Sequence, residues 1–385
     1  MDRNWTGLRR QNGTIGLRNY LAVIAATDAA NPVVRRIAAS VPGAVAITPL
    51  YGRGQLGDDL ELSINTMAGL GINPNVYAAL IVSLEPVAGN RVAERIAASG
   101  KSVEALSIQG ALGTTKLQQA AKRVLETWAA DAARLKRAVM DPGELVIGLE
   151  CGGSDTTSGL VSNPAIGIVA DQLVDWGAKV VFSEPVECLG GEDALASRSK
   201  TPEIAAAVRD MVVRYEKIAE NAGVDLNAIN PAPDNIRGGL TTIEEKSLGA
   251  LCKTGTRRLS GVLGYGEAPK APGLYLMDAP AAATENMTAL AAGGTHAILF
   301  GTGALNSIGN PVSPTIKICG NPNTCSTMSD HVDVDLSDVV TADTSIAQAG
   351  ERILEFMRDV AAGKETRCEV LGEIEVAVSR IGLSV

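Results

Sequence analysis

The sequence predicts an α/β fold made of two Rossmann-like or flavodoxin-like domains, each built on a parallel sheet. Three observations carry this. Apolar runs of strand length alternate with stretches of helical spacing, the pattern of parallel strands covered by helices on both faces. At 385 residues, with 46% apolar and 20% charged, the chain is long enough for two buried cores. Aromatic residues make up only 3%, and the small aliphatic side chains that dominate instead let helices lie close on strands.

Four βα-type units follow in order. YLAVIAATDAANPVVRRIAASV forms the first, with AVAITPL as a short following strand. VYAALIVSLEPVAGNRVAERIAAS forms the second, followed by VEALSI. The polar, amphipathic TKLQQAAKRVLETWAADAARLKRAV then leads to the breaker Asp141-Pro142-Gly143-Glu144. A boundary there gives an N-terminal domain of residues 1–140 and a C-terminal domain of residues 141–385, expected to carry most of the active site. The third unit is ELVIGL, the loop CGGSDTTSG, a helix through IGIVADQLVDWG and the strand KVVFSE. A helix is expected from about Thr201 to Asn221, then the loop AINPAPDNIRGGL. GLYLMDAP, a helix around ATENMTALAAG and the strand HAILFGTG make the fourth unit; TIKICGNP and a helix near SIAQAGERILEFMRDVAAG close the chain.

Several functions are excluded on composition. The net charge is −9 with scattered Lys and Arg, so the basic stripe and stacking aromatics of a nucleic-acid binder are missing. No run of about 18 apolar residues offers a membrane span. The six cysteines form no CxxC pair, and the start of the chain lacks an apolar signal core, which together read as a reducing cytoplasm.

The familiar catalytic motifs are also lacking. Only His296 and His331 are present, no serine has a G-x-S-x-G context, and there is no HExxH or Walker A. His296 lies in the apolar strand THAILF and reads as a core or edge residue. One G-x-G-x-x-G, Gly52 to Gly57, follows a short strand, but Asp58 and Asp59 stand where a pyrophosphate would sit. The same loop sets Arg53 between glycines, suited to a carboxylate or sulfonate, or simply exposed.

Polar residues gather instead at strand ends. Cys151 to Thr157 leave the third unit's strand, and Ser183, Glu184 and Glu187 leave the next. In a parallel sheet both loops emerge at one edge, so Asp155 can approach Glu184 or Glu187 and hold a cation or divide acid and base roles. The alternative is that Ser154, Asp155 or a Thr merely caps the next helix, with Cys151 a small buried hydrophobe. In GGLTTIEEKSLGALCKTG, Lys246 beside Glu244 and Glu245 suits a proton acceptor or anion clamp, or else lies beyond a capping box on a wet helix face. Asp333 and Asp335 read as the solvated face of a strand.

Together, LECGGSDTTSGLVSNPAIG, FSEPVE, GGLTTIEEKSLG, GLYLMDAP and GNPVSPTIKICGNP resemble the large catalytic region of the altronate and galactarate dehydratase family, from about Asn12 to Asp338. The resemblance implies a cytoplasmic lyase that removes a β-substituent from a 2-hydroxy acid, helped by Fe²⁺ or another divalent metal such as Mn²⁺ or Mg²⁺. YGRGQLGDDLEL, GINPNVYAALIVSLEP, NIRGGLTTIEEKSLG and MSDHVDVD point to the branch that expels sulfite. Where the sugar-acid enzymes carry Gly-Cys-Gly and Gly-Cys-Glu, this chain has Arg53-Gly54-Gln55 and Leu84-Glu85-Pro86. Their early Arg-Asn-His is Arg18-Asn19-Tyr20 here, and their late glycine loop is Gly303-Ala304-Leu305-Asn306. The family's small metal-assisting domain is not seen, so a separate small subunit and a homo-oligomer of the large one are expected. For this reaction Lys246 is the first choice of base, then Glu184, with Glu244 beside them. Arg53, Gln55, Ser154, Thr156, Thr157, Asn235, Thr241 and Lys317 are expected to bind substrate, and Asp155, Glu187 and Cys151 the metal. Two rivals stand: a dehydratase expelling water, and a non-catalytic binding subunit.

Overall fold

The computed structural model describes residues 5–10, 12–380, 382 and 384. Its strands are β1 (Trp5–Arg9), β2 (Ile15–Gly16), β3 (Tyr20–Ala25), β4 (Ala44–Ile47), β5 (Val76–Ser83), β6 (Ser102–Ser107), β7 (Ala138–Met140), β8 (Val146–Cys151), β9 (Lys179–Phe182), β10 (Leu259–Leu263), β11 (Gly273–Met277), β12 (Ala297–Thr302), β13 (Thr315–Cys319) and β14 (Val334–Asp335). The fold is α/β, with two parallel sheets.

The N-terminal sheet has four parallel strands in the order β4-β3-β5-β6. Side chains alternate between its faces. Leu21, Val23 and Ala25 meet the helices Asn31–Ala38 and Thr114–Ala132, whereas Ala22 and Ile24 meet Gly57–Ile72 and Pro86–Ala97. Burial on both faces explains why the central strands β3 and β5 read as unbroken apolar runs. The C-terminal sheet has seven parallel strands, β10-β11-β9-β8-β12-β13-β14. The helices Asn163–Asp175 and Ile346–Ala362 cover one face, and Ala283–Ala292 packs on the other.

Each sheet has a point where successive connections leave in opposite directions, between β3 and β5 in the first and between β8 and β12 in the second. Crevices at the carboxyl ends of such strands are where α/β proteins bind ligands.

Some elements were not legible in the sequence. The helix Gly57–Ile72 buries Ser63 and Thr66 along with Ile64 and Met67, which blurs its apolar period. It lies against Ala283–Ala292 so closely that a Cβ on Gly69 would fall 2.6 Å from the Ala292 carbonyl oxygen. β10, interrupted by Ser260 and Gly261, gave no clear run. A small antiparallel sheet, β2-β1-β7, pairs Trp5 with Met140, a partnership 135 residues apart that no local pattern announces.

The chain ends cross. Trp5, Ile15, Leu17 and Met140 join the core of the large sheet, where Trp5 meets Trp176 edge to face with centroids 6.3 Å apart. Val376 and Val378 join the core beside the small sheet. Buried Asn73 and Asn75 staple the halves: Asn73 donates to the Ala291 and Thr295 carbonyls, and Asn75 to those of His296 and Val312, at 2.8–3.0 Å. His296 belongs to this seam. Its Nδ1 accepts from the Val146 N–H (3.0 Å), so Nε2 carries the hydrogen and donates to the Ile15 carbonyl (3.0 Å). Burial pushes its pKa down to about 4, and it is a neutral core residue. Arg18, Tyr20 and Glu369 form another buried knot, with Arg18 Nε 2.8 Å from Glu369. Among the described residues no helix is long and apolar enough to cross a membrane.

Candidate functional site

β8 delivers Cys151 to the crevice, and the loop after it is governed by Asp155. Its Oδ1 accepts from the Ser158 N–H (2.8 Å) and the Thr157 hydroxyl (2.7 Å), while Oδ2 accepts from Asn321 Nδ2 (2.8 Å). Asp155 therefore caps the helix that begins at residue 156 and ties it to the loop beyond β13. Ser158–Ser162 in this helix is a π-helical turn, an irregularity that often marks functional sites. The facing loop after β12 must carry Gly303, because a Cβ there would fall 1.9 Å from Asp155 Oδ1. Gly303 and Ala304 donate their N–H groups to the Gly153 carbonyl at 3.2 and 2.8 Å. Asn235 Nδ2 closes the other side on the Ser154 carbonyl (2.9 Å).

Beside this loop lies a cluster of acids and lysines. Glu184 leaves β9 with a left-handed φ of 69°, a strained conformation for a non-glycine residue and one found disproportionately at functional sites. Its Oε2 is 2.6 Å from Lys253 Nζ, and both side chains are buried. Three residues on, Glu187 Oε1 is 3.0 Å from Lys246 Nζ, which also donates to Asn230 Oδ1 (2.8 Å). Burial by itself pulls the Lys253 pKa down. The charge of Glu184, with Cys151 and Glu150 nearby, more than reverses this and raises its pKa.

Glu150 is fully buried, accepts a hydrogen bond on Oε2 from Asn286 Nδ2, and has no partner on Oε1. Asn286 in turn accepts from Ser183. Burial, reinforced by the charge of Glu184, raises the Glu150 pKa well above the ordinary range. Strand register explains its other neighbours: Phe300 pairs with Glu150 on one side and Lys317 on the other. Lys317 is wholly buried, lies 3.4 Å from the Phe300 ring centroid and donates to the Ile308 carbonyl (2.5 Å). Burial lowers its pKa to about 7.

A pocket of about 290 Å³ opens over this region, lined by Ser154, Asp155, Thr156, Ser158, Gly159, Leu160, Asn163, Leu240, Glu245, Lys246, Leu248, Gly249, Ala250 and Cys252. It unites Ser154, Asp155, Thr156 and Lys246 from the expected set. Thr157 stands behind Asp155. Glu184 is outside the lining, turned toward Lys253. Glu244 is exposed in the first turn of the helix Ile243–Leu251, where hydrogen bonds at the helix start hold its carboxyl below the usual range. Thr241 donates to Glu245 Oε2 (2.6 Å) as part of the same helix start. Lys317 faces the buried row and not the pocket. Asp333 is likewise structural, accepting from the Lys317 and Arg367 N–H groups, each at 2.8 Å, while Asp335 is exposed.

Arg53 and Gln55 belong to the other crevice. Arg53 lines a pocket of about 300 Å³ with Thr27, Ala29, Leu84, Glu85, Ala88 and Gln109, and this lining shares no residue with the first. Gln55 is buried with Oε1 unpartnered. The helix after the glycine loop does start at Gly57, but Asp58 and Asp59 fill its first turn, an unfavourable setting for a pyrophosphate.

Asp155, Glu187 and Cys151 do not converge as metal ligands. Among the described residues, no three His, Cys, Asp or Glu side chains are placed to share an ion. Both Asp155 oxygens are engaged, Glu187 is paired with Lys246, and burial raises the Cys151 thiol, which lies 3.3 Å from Ser154 Oγ and from Asn163 Nδ2. The donor set of these residues does not fit a bound divalent ion. Lys253, Asn286 and Asn163 were missed in the sequence. The signal for Asn286 was present: a polar residue on the apolar helix Ala283–Ala292.

Fold and site together define an α/β protein with two parallel sheets and a buried acid–lysine cluster at the switch point of the larger one. Residues 7–133 match the family model for the second domain of D-galactarate dehydratase/altronate hydrolase, and residues 143–384 match the C-terminal D-galactarate/altronate dehydratase model. The chain belongs to the galactarate/altronate dehydratase family. It is 39% identical over 381 residues to the (2R)-sulfolactate sulfo-lyase subunit beta of Chromohalobacter salexigens, covering 98% of each chain. It is 28% identical over 393 residues to the altronate dehydratase of Bacillus subtilis, covering 100% of this chain and 79% of that one. Galactarate dehydratase (L-threo-forming) of Escherichia coli is 28% identical over 311 residues, 78% of this chain and 59% of the relative.

Proposed function

We propose that this chain is the large subunit of a lyase that performs β-elimination on a 2-hydroxy acid, with (2R)-3-sulfolactate as substrate and pyruvate and sulfite as products. The observation that carries this reading is the end-to-end likeness to a sulfo-lyase subunit beta, 98% of both chains. The pocket over Ser154, Asp155 and Lys246 has the volume for a three-carbon acid.

In this reaction the Lys246–Glu187 pair takes up the C2 proton, with Lys246 as acceptor once the pair has lost one proton. The C2–H electrons form the C2=C3 bond. The C3–S bond breaks with its electron pair leaving on sulfite, and the resulting enol becomes pyruvate as its hydroxyl proton is lost and C3 gains one. Lys246 is mechanistically suited because an ammonium held beside a carboxylate also offsets charge developing on the substrate. A separate small subunit, an oligomeric large subunit, a cytoplasmic setting and a divalent ion such as Fe²⁺ belong to this proposal. The ion's donors would have to come in part from outside the residues described above.

A second reading, elimination of water from a sugar acid, is favoured by the likeness to altronate and galactarate dehydratases. The test is co-production with the small subunit, anaerobic loading with Fe²⁺, and assay of sulfolactate for sulfite and pyruvate. Both products appearing together support the sulfo-lyase. Keto acids from altronate or galactarate without sulfite release support the dehydratase. No turnover of any 2-hydroxy acid leaves a binding subunit.

A further inference from the structure

Lys246 and Lys253 are seven residues apart on the helix Ile243–Leu251 and the turn that continues it. Two helical turns put them on one face. Opposite them, Glu184 immediately precedes the turn Pro185–Cys188 and Glu187 lies within it. The result is a two-rung ladder between the two elements: Lys246–Glu187 at 3.0 Å and Lys253–Glu184 at 2.6 Å. The rungs differ in depth. The outer side chains retain 11% and 13% exposure and Lys246 lines the pocket, whereas the inner ones retain 3% and 1% and neither lines it.

We propose that Lys253 and Glu184 are positioning residues, and that the outer rung, Lys246–Glu187, is the reacting pair. The inference rests on the lyase reading. The inner rung fixes the register of the helix against the turn after β9, and with it the point at which Lys246 enters the pocket. Glu184 is not the base: its carboxylate is buried, held by Lys253 and absent from the pocket lining. Its left-handed backbone is the local strain of aiming a side chain inward from the first residue of a turn. Removing one member of a buried pair leaves the other charge uncompensated, whereas replacing both by neutral isosteres does not. The role therefore has a signature that a catalytic role lacks.

The test uses the assembled enzyme with its active substrate. Lys253→Met is expected to lower kcat about 100-fold, the scale of a misplaced catalytic group, with KM within about twofold. The double variant Glu184→Gln/Lys253→Met is expected to recover kcat to within about tenfold of the parent. Lys246→Met loses activity, and adding Glu187→Gln does not restore it. If Lys253→Met does not fold, the double variant alone decides. A double variant as inactive as Lys246→Met in a folded protein, by circular dichroism and thermal unfolding, overturns the inference and returns Glu184 to the chemistry. Unchanged kcat in Lys253→Met also overturns it. A parent enzyme silent on every 2-hydroxy acid is a different failure, which removes the lyase reading and the inference with it.

Discussion

The two crevices of this molecule have the same architecture and different contents. In each, a parallel strand ends, a carboxylate caps the next helix, and the neighbouring connection leaves the other way. Glu85 caps Pro86–Ala97 through the Ala88 and Val87 N–H groups at 2.9 and 2.7 Å. Asp155 does the same for the helix after β8. Around Glu85 there is one exposed arginine, and the pocket lining contains no ion pair among the described residues. Beside the Asp155 loop stand the acids Glu150, Glu184 and Glu187 and the lysines Lys246, Lys253 and Lys317, most of them buried. A switch point supplies a place for a ligand; buried charge is what distinguishes one of these two places from the other. Burying ionised groups is costly unless they are paired, so their concentration at one crevice marks that crevice.

The largest expected effect breaks the stronger crevice. Lys246→Ala should lower kcat/KM about a thousandfold, the scale of removing a general base, by steady-state kinetics. A loss under tenfold would move the reaction elsewhere. Next comes the seam between the halves. His296 has a folded pKa of about 4, below the ordinary value near 6.5, so the folded state resists protonation. The contribution of His296 to stability is therefore retained above about pH 6.5 and falls as the pH drops toward 4, by about 3 kcal/mol in all. By urea unfolding, the stability of the parent relative to His296→Gln should fall across that range as the pH drops. Gly303→Ala, which drives a methyl into Asp155, should destabilise by about 2 kcal/mol and lower activity as well.

The two caps sharpen the comparison further. Glu85→Ala should cost about 1 kcal/mol of stability and leave turnover within about twofold, because its helix borders the quieter crevice. Asp155→Ala should cost at least as much stability and also reduce turnover. Arg53→Ala should lower kcat/KM by less than about tenfold. A thousandfold loss there would unite the crevices into one site.

Much of this was readable in advance, for local reasons. Parallel strands buried on both faces write themselves as apolar runs, and their ends are marked by glycine and hydroxyl residues, so the Cys151–Thr157 loop stood out. Lys246 was visible because glycines and acids surround it. Lys253, seven residues later, has an ordinary context, and only the fold shows that Glu184 needs it. Asp155 shows the converse: its residue type suggested a metal ligand, but its hydrogen bonds fulfil the capping alternative. The β1–β7 pairing and the buried row Glu150–Phe300–Lys317 depend on strand neighbours distant in sequence, which composition and period do not encode.

The crossing of the chain ends bears on how this protein is made. Synthesis runs from the amino terminus, and an N-terminal half commonly folds while the rest is still being translated. Here the core of the small sheet includes Ala291, Ala292, Val312, Val376 and Val378, so the emerging half lacks the cover for its helix Gly57–Ile72. The first strand, meanwhile, has its apolar partners in residues made later. Neither half is a self-sufficient folding unit, and completion of the small sheet's core waits for Val376 and Val378. A fragment of residues 1–140 should accordingly bind a hydrophobic dye and aggregate, and a chain ending at residue 372 should release unfolded N-terminal halves to proteases.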